Sequence, residues 1–168
     1  MLNKNVKLEI ELYKPMCKWL GVYLNDKYKN KDCTIIIEDS HAVDLDSVLN
    51  KHDVLKYYPQ AVGLNIQIDV LGIVKESDKA EIYFIEAKKT ALNLHDLGQL
   101  LIYCKLCNPE EAYLLSSSGL GSLNKILNNL NREDLLDYGS GRRIKKIRVA
   151  RWDITKNGID NHSIVPKI

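Results

Sequence analysis

The chain has 168 residues, 45% hydrophobic and 27% charged, with a net charge of +2, a balance ordinary for a globular protein. Its length fits one domain, residues 1–168, with a real core. No stretch approaches the roughly 18 uninterrupted apolar residues of a membrane span, and the opening MLNKNVKLEIELYK lacks a signal-peptide apolar region. A cytoplasmic protein with no membrane partner is therefore expected.

Residues 6–24 place Leu8, Leu12, Met16, Trp19 and Leu20 at helical spacing. Pro15 lacks an N–H and crowds the preceding turn, so this helix either begins near Tyr13 or is kinked. CTIIIE, 33–38, reads as a buried strand. Asp44 is expected to cap a short helix that carries Leu45, Val48 and Leu49 and ends before Pro59. A second strand is predicted over 65–75, a polar turn at KESDK, and a third strand over 80–89. Leu94, Leu97, Leu101 and Cys104 mark a helix over 94–106, stopped by Asn108-Pro109. AYLLSS, 112–117, reads as a strand. Ser122 is expected to cap a helix through Leu123, Ile126, Leu127 and Leu130 that runs toward Gly139. IKKIRVARWDI, 144–154, reads as a last strand alternating basic and apolar residues. The order of elements gives one α/β domain, with a mixed central β-sheet flanked by helices.

Cys104 and Cys107 form a CxxC inside an apolar helical stretch, and Cys17 with Cys33 makes no second pair. Packing, rather than a zinc or redox centre, is the expected role. His41, His52, His95 and His162 are scattered without metal-ligand spacing. Charge is uneven: residues 139–168 hold eight Lys/Arg against two Asp, a local +6, which leaves −4 for the rest. Within that basic segment Arg142, Arg143, Lys145, Lys146 and Arg148 suit contacts to the phosphates of a nucleic acid. The loop Ser116-Ser117-Ser118-Gly119 is read as a plain strand-to-helix connection.

The chemistry gathers around the hairpin. With Ser77-Asp78 at the centre of its turn, Asp69 lies directly opposite Glu86, with Cβ atoms about 4.5–5.5 Å apart on one sheet face. Two carboxylates at that separation repel unless a proton or cation sits between them, and Mg²⁺ with oxygen ligands would suit. The period of two puts Lys88 on the same face. Glu86-Ala87-Lys88 is the only [DE]-x-K in the chain. Gln99 and Tyr103, four apart, share a face of the helix that follows.

These residues together resemble the PD-(D/E)xK nuclease superfamily. The match comprises an acidic residue on the first helix, Asp69 in one strand, Glu86-Ala87-Lys88 in the next, and Gln99 with Tyr103 on the following helix. The opening Glu9-Ile10-Glu11-Leu12-Tyr13-Lys14-Pro15 is similar to an E-x-D-L-Y-x-P start found in small members. The resemblance implies a restriction-endonuclease-like core, a mixed four-stranded sheet flanked by helices, and hydrolysis of phosphodiester bonds in DNA with Mg²⁺ or Mn²⁺. It also implies roles. Asp69, Glu86 and the Ala87 carbonyl would hold the metal, and Glu9 would assist. Lys88 would orient water or stabilise charge on the phosphate, and Gln99 and Tyr103 would support the site. Two departures stand out: no Pro precedes Asp69, and the segment 33–57 reads as an added strand and helix. Glu11 remains an alternative to Glu9.

A second class fits the same residues: a catalytically inactive nuclease-like module that binds nucleic acid or protein. A hydrolase for small nucleotides is less favoured, because no Gly-rich phosphate cradle is present. Breaking both strands of a duplex with one small site calls for a homodimer or two successive cuts.

Overall fold

The computed structural model describes residues 6–167; residues 1–5 of the opening segment, and 168, lie outside it. The first helix, α1, is Tyr13–Lys27, preceded by a 3-10 turn over Glu9–Leu12. Of the two options for Pro15, the structure takes the later start. Pro15 then falls in the first turn, where its missing N–H has no intrahelical partner to lose. Met16, Leu20 and Leu24 are fully buried along one stripe, whereas Leu8, ahead of the helical turns, is exposed.

The central sheet has six strands: β1 (Thr34–Asp39), β2 (Val70–Lys75), β3 (Ala80–Lys88), β4 (Glu111–Ser116), β7 (Arg148–Asp153) and β8 (Gly158–Ile159), in the order β1-β2-β3-β4-β7-β8. It is mixed. β1, β2 and β3 are antiparallel neighbours, β4 is parallel to both β3 and β7, and β8 returns antiparallel. One face, with Val70, Val74, Tyr83, Ile85 and Ala87, packs against α1. The other, with Leu71, Ile73, Ile82 and Phe84, packs against α2 (Leu45–Lys51) and α3 (Leu94–Cys107). No described helix is long and apolar enough to cross a membrane.

Several elements differ from expectation, each for a local reason. Within the segment 33–57, the strand β1 joins the sheet at its edge, pairing with β2 along all of its length. The predicted strand 65–75 is ladder only from Val70. Upstream, the Ile66 carbonyl accepts Leu45 N–H and the Ile68 carbonyl accepts the Ser40 hydroxyl, so these groups brace a loop instead. Asp44 stands at the N-cap of α2, but its carboxylate takes the Gln67 amide rather than a helix N–H. Ser122 is not the cap of its helix. Gly121 holds that position at φ +52°, and a side chain there would strike the Leu92 carbonyl. The helix α4 (Ser122–Asn124) continues only as a π-helical turn, Lys125–Asn129, instead of running toward Gly139. Finally, the basic strand 144–154 is two strands. β6 (Arg143–Lys146) pairs with β5 (Asp137–Ser140) in a separate hairpin, and β7 joins the main sheet. Ile147, fully buried between them, gives its N–H to Leu136 and turns the chain from one to the other.

Candidate active site

The β2–β3 hairpin sets the geometry. Lys75 pairs with Ala80 and Val70 with Ile85, so one further step opposes Asp69 to Glu86, the register that a Ser77-Asp78 turn dictates. Asp69 itself lies just ahead of β2, where the ladder ends. Its Oδ2 accepts the Ala87 N–H at 2.8 Å. The Lys88 carbonyl points the other way, accepting Ser117 N–H from beyond β4. Backbone groups alternate sides along a strand, so the Ala87 carbonyl faces the gap left by β2, beside Asp69.

Glu86 and Lys88 share a face, as a period of two requires, and Lys88 Nζ donates to Glu86 Oε1 at 3.3 Å. Glu86 is 5% exposed, and its second oxygen, Oε2, is buried with no hydrogen-bond partner. It is one of three such buried side-chain oxygens among the described residues, with Glu76 Oε1 and the Tyr138 hydroxyl, and leaving a carboxylate oxygen unpaired is costly. Burial, then the Asp69 charge, push the Glu86 carboxyl up to about 8, against the pull of Lys88. Burial also raises Asp69, although the Ala87 N–H and Lys88 work in the opposite direction. Burial disfavours the charge on Lys88, but Glu86, Glu9 and Asp69 together outweigh it, and its pKa rises.

Glu9 belongs to this group and Glu11 does not. The Glu9 carboxylate accepts Lys89 N–H at 3.2 Å, just past the end of β3, whereas Glu11 is exposed. Tyr13, one helical turn after Glu9, is buried beside Asp69, and its hydroxyl favours the ionised carboxylate. Spacing of four from Glu9 was the available sign of Tyr13. The serines at and just past the end of β4 are also part of the frame: Ser116 donates to the Thr90 carbonyl and Ser118 to that of Lys89, both at 2.6 Å. They fix the turn that leaves Lys88.

Gln99 and Tyr103 share a face of α3, which starts at Asn93 with a reciprocal capping box to Asp96. The Gln99 amide donates to the Tyr103 hydroxyl at 3.3 Å, and the two line a shallow recess with His95 and Ile102. No hydrogen bond joins them to Asp69, Glu86 or Lys88 among the described residues. The basic segment is divided. Lys145 donates to the Pro109 carbonyl, Lys146 pairs with Asp137, and Arg148 is held by Glu111 and the Tyr113 hydroxyl. Arg142 and Arg143 sit exposed at the β5–β6 turn. Cys104 and Cys107 are buried in the core under α3, where burial pushes the Cys107 thiol up to about 11 and raises Cys104 as well.

The donor set suits a hard divalent cation. Two carboxylates, one with an unpartnered buried oxygen, and a main-chain carbonyl are oxygen ligands of the kind Mg²⁺ takes. Among the described residues no three His, Cys, Asp or Glu side chains form a metal cage by themselves. Mg²⁺ commonly binds through one or two carboxylates with water and substrate phosphate completing the shell. Neither family models, nor curated proteins, nor solved structures gave a match to this chain.

Proposed function

We propose that the chain is a Mg²⁺- or Mn²⁺-dependent nuclease with a restriction-endonuclease-like core, hydrolysing phosphodiester bonds in DNA. The observation that carries this reading is the buried, unpartnered Oε2 of Glu86, set between Asp69 and Lys88 at the open end of β3. The mixed unit β1–β4, antiparallel through β3 and parallel at β4, supports the core assignment.

Asp69, Glu86 and the Ala87 carbonyl would hold the metal, whose chemistry when bound is to polarise a phosphoryl oxygen and acidify water. Lys88 stays protonated among three carboxylates and would present positive charge where negative charge grows on the phosphoryl oxygens. Glu86 anchors that ammonium, and the Ala87 N–H fixes the Asp69 carboxylate. Glu9 and Tyr13 hold the near side of the site, and Gln99 and Tyr103, on the helix that follows β3, would support it. Of the five basic residues Arg142, Arg143, Lys145, Lys146 and Arg148, only Arg142 and Arg143 have no side-chain partner among the described residues, and they would meet phosphates away from the carboxylates, at the β5–β6 turn.

The test is cleavage of supercoiled, linear duplex and single-stranded DNA with Mg²⁺ or Mn²⁺, comparing wild type with Asp69→Ala and Lys88→Ala. Both variants are expected to lose activity by about 100-fold or more. Cleavage persisting in both overturns the assignment. A second reading, binding of nucleic acid without hydrolysis, draws on the pairing of Gln99 with Tyr103 instead of with the carboxylates. It predicts no Mg²⁺-dependent rise in melting temperature that Glu86→Ala removes.

A further inference from the structure

On the α1 face, away from the carboxylates, lies a recess of about 580 Å³ lined by Lys14, Pro15, Lys18, Trp19, Val22 and Lys156. Lys14, Lys18 and Val22 follow one another at intervals of four along the outer face of α1, with Pro15 and Trp19 beside them. Lys156 comes from the turn between β7 and β8.

Helix stability does not account for these lysines. Lys14 stands in the first turn of α1, at the positive end of the helix dipole, where a cation is disfavoured. Lys18 then sets a like charge four residues on, which is again unfavourable. No ammonium of the three has a carboxylate or carbonyl partner among the described residues; Lys156 engages Asp153 only through its backbone N–H. Two unpartnered cations that work against their own helix, with a third brought beside them by the β7–β8 turn, mark a place where local rules yield to a ligand.

The floor of the recess is aromatic and rigid. The Trp19 ring lies parallel to Tyr23, with centroids 5.5 Å apart, and edge-on to Tyr113 and Trp152. Its orientation is therefore set before anything binds, which lowers the ordering cost of a stacked partner. A half-buried indole ringed by cations fits a flat heteroaromatic ring joined to an anion.

We infer that this recess binds a segment of single-stranded polynucleotide, with a base against Trp19 and flanking phosphates on Lys14, Lys18 and Lys156. It rests on the reading of the chain as acting on nucleic acid, and it adds where the strand lies. Tyr13, beside Asp69, and Lys14, in the recess, are consecutive residues of α1. β3, β4 and β7 are parallel, so the turn carrying Lys156 leaves the sheet along the same edge as Lys88. A strand held in the recess thus reaches the carboxylates across the start of α1.

Titration of the metal-free protein in EDTA with a short oligothymidylate tests binding apart from cleavage. Trp152 is buried, so quenching of tryptophan emission reports on Trp19. Quenching is expected in wild type. Lys14→Ala/Lys18→Ala/Lys156→Ala should weaken binding at least tenfold and lower the salt slope by roughly 2, at about 0.7 per phosphate contact. Trp19→Phe, which keeps a ring in the cluster but removes the emission, is followed by the anisotropy of a fluorescein-labelled oligothymidylate and should weaken binding severalfold with the salt slope unchanged. Unquenched emission, undiminished binding by the triple variant, or equal affinity for an acidic polypeptide overturns the proposal. If the oligonucleotide binds as described and no DNA is cut with Mg²⁺, the recess stands and the nuclease reading falls. If DNA is cut at the wild-type rate by the triple variant, the recess alone falls.

Discussion

Against the pull of Lys88, burial and the neighbouring Asp69 charge favour the protonated form of Glu86. Its pKa is raised from 4.5 to about 8, so the folded chain holds a proton that the unfolded chain has released. Its contribution is complete below pH 4.5 and is lost as pH rises toward 8, so stability falls across that window. Asp69, raised from 3.8, acts in the same direction. Glu38 acts oppositely: Lys51 lowers it, so its contribution is present at neutral pH and lost on acidification. The urea midpoint in EDTA is thus expected to fall from pH 5 to 8, less steeply in Glu86→Gln. Mg²⁺ should restore stability most at the alkaline end in wild type and not in Glu86→Gln. Lys88→Met removes the cation that holds Glu86 down, so the fall should steepen while cleavage drops about 100-fold or more. A pH profile of unfolding identical in wild type and both variants contradicts this account of the charges.

At the scale of elements, the site depends on α1 lying close against the sheet. Gly72, in the middle of β2, makes that approach possible: a Cβ there would come within 3.0 Å of Leu20 and Leu24 and 3.2 Å of Tyr83. Gly72→Ala should lift the helix and cost about 1–3 kcal/mol by urea unfolding. Because Tyr13 and Glu9 move with α1, it should reduce cleavage as well. Gly98 in α3 is the contrasting case, since a Cβ there meets nothing within 4 Å. Gly98→Ala should stabilise the fold by about 0.5–1 kcal/mol, the ordinary helix difference. Equal effects of the two substitutions would mean that close packing of α1 is not what Gly72 provides.

At the scale of the molecule, Asp69, Glu86, Lys88 and the turn carrying Lys156 gather at one edge of the sheet, where β3 and β7 end, whereas Arg142 and Arg143 belong to the β5–β6 hairpin at the opposite edge, against Pro109 ahead of β4. Open α/β sheets bind ligands at such an edge because the strands end there and loops diverge. The proposed site is single among the described residues, so supercoiled plasmid is expected to pass through a nicked circle before becoming linear. Gel analysis of the time course, with sedimentation at the same protein concentration, decides the matter. Linear product without a nicked intermediate, from a sedimenting dimer, would show that two copies act together.

The sequence by itself determined the alternation of elements, the hairpin register and the shared face of Glu86 and Lys88. These follow from short-range periodicity: a two-residue turn fixes pairing along the whole hairpin, and a period of two fixes facing. It also carried the stop at Asn108-Pro109 and the first-turn position open to Pro15. Tertiary structure decided what depends on residues distant in the chain. Whether Glu9 or Glu11 turns inward was settled by the Lys89 N–H, eighty residues away. The basic run looked like one strand because alternation is blind to a change of sheet, and burial of Ile147 broke it in two. Its cations looked free because their partners, Glu111, Asp137 and the Pro109 carbonyl, sit on other elements. The orphaned Glu86 oxygen exists only once β2 has stopped and both sheet faces are covered, because an unmet hydrogen bond is a property of packing, not of spacing.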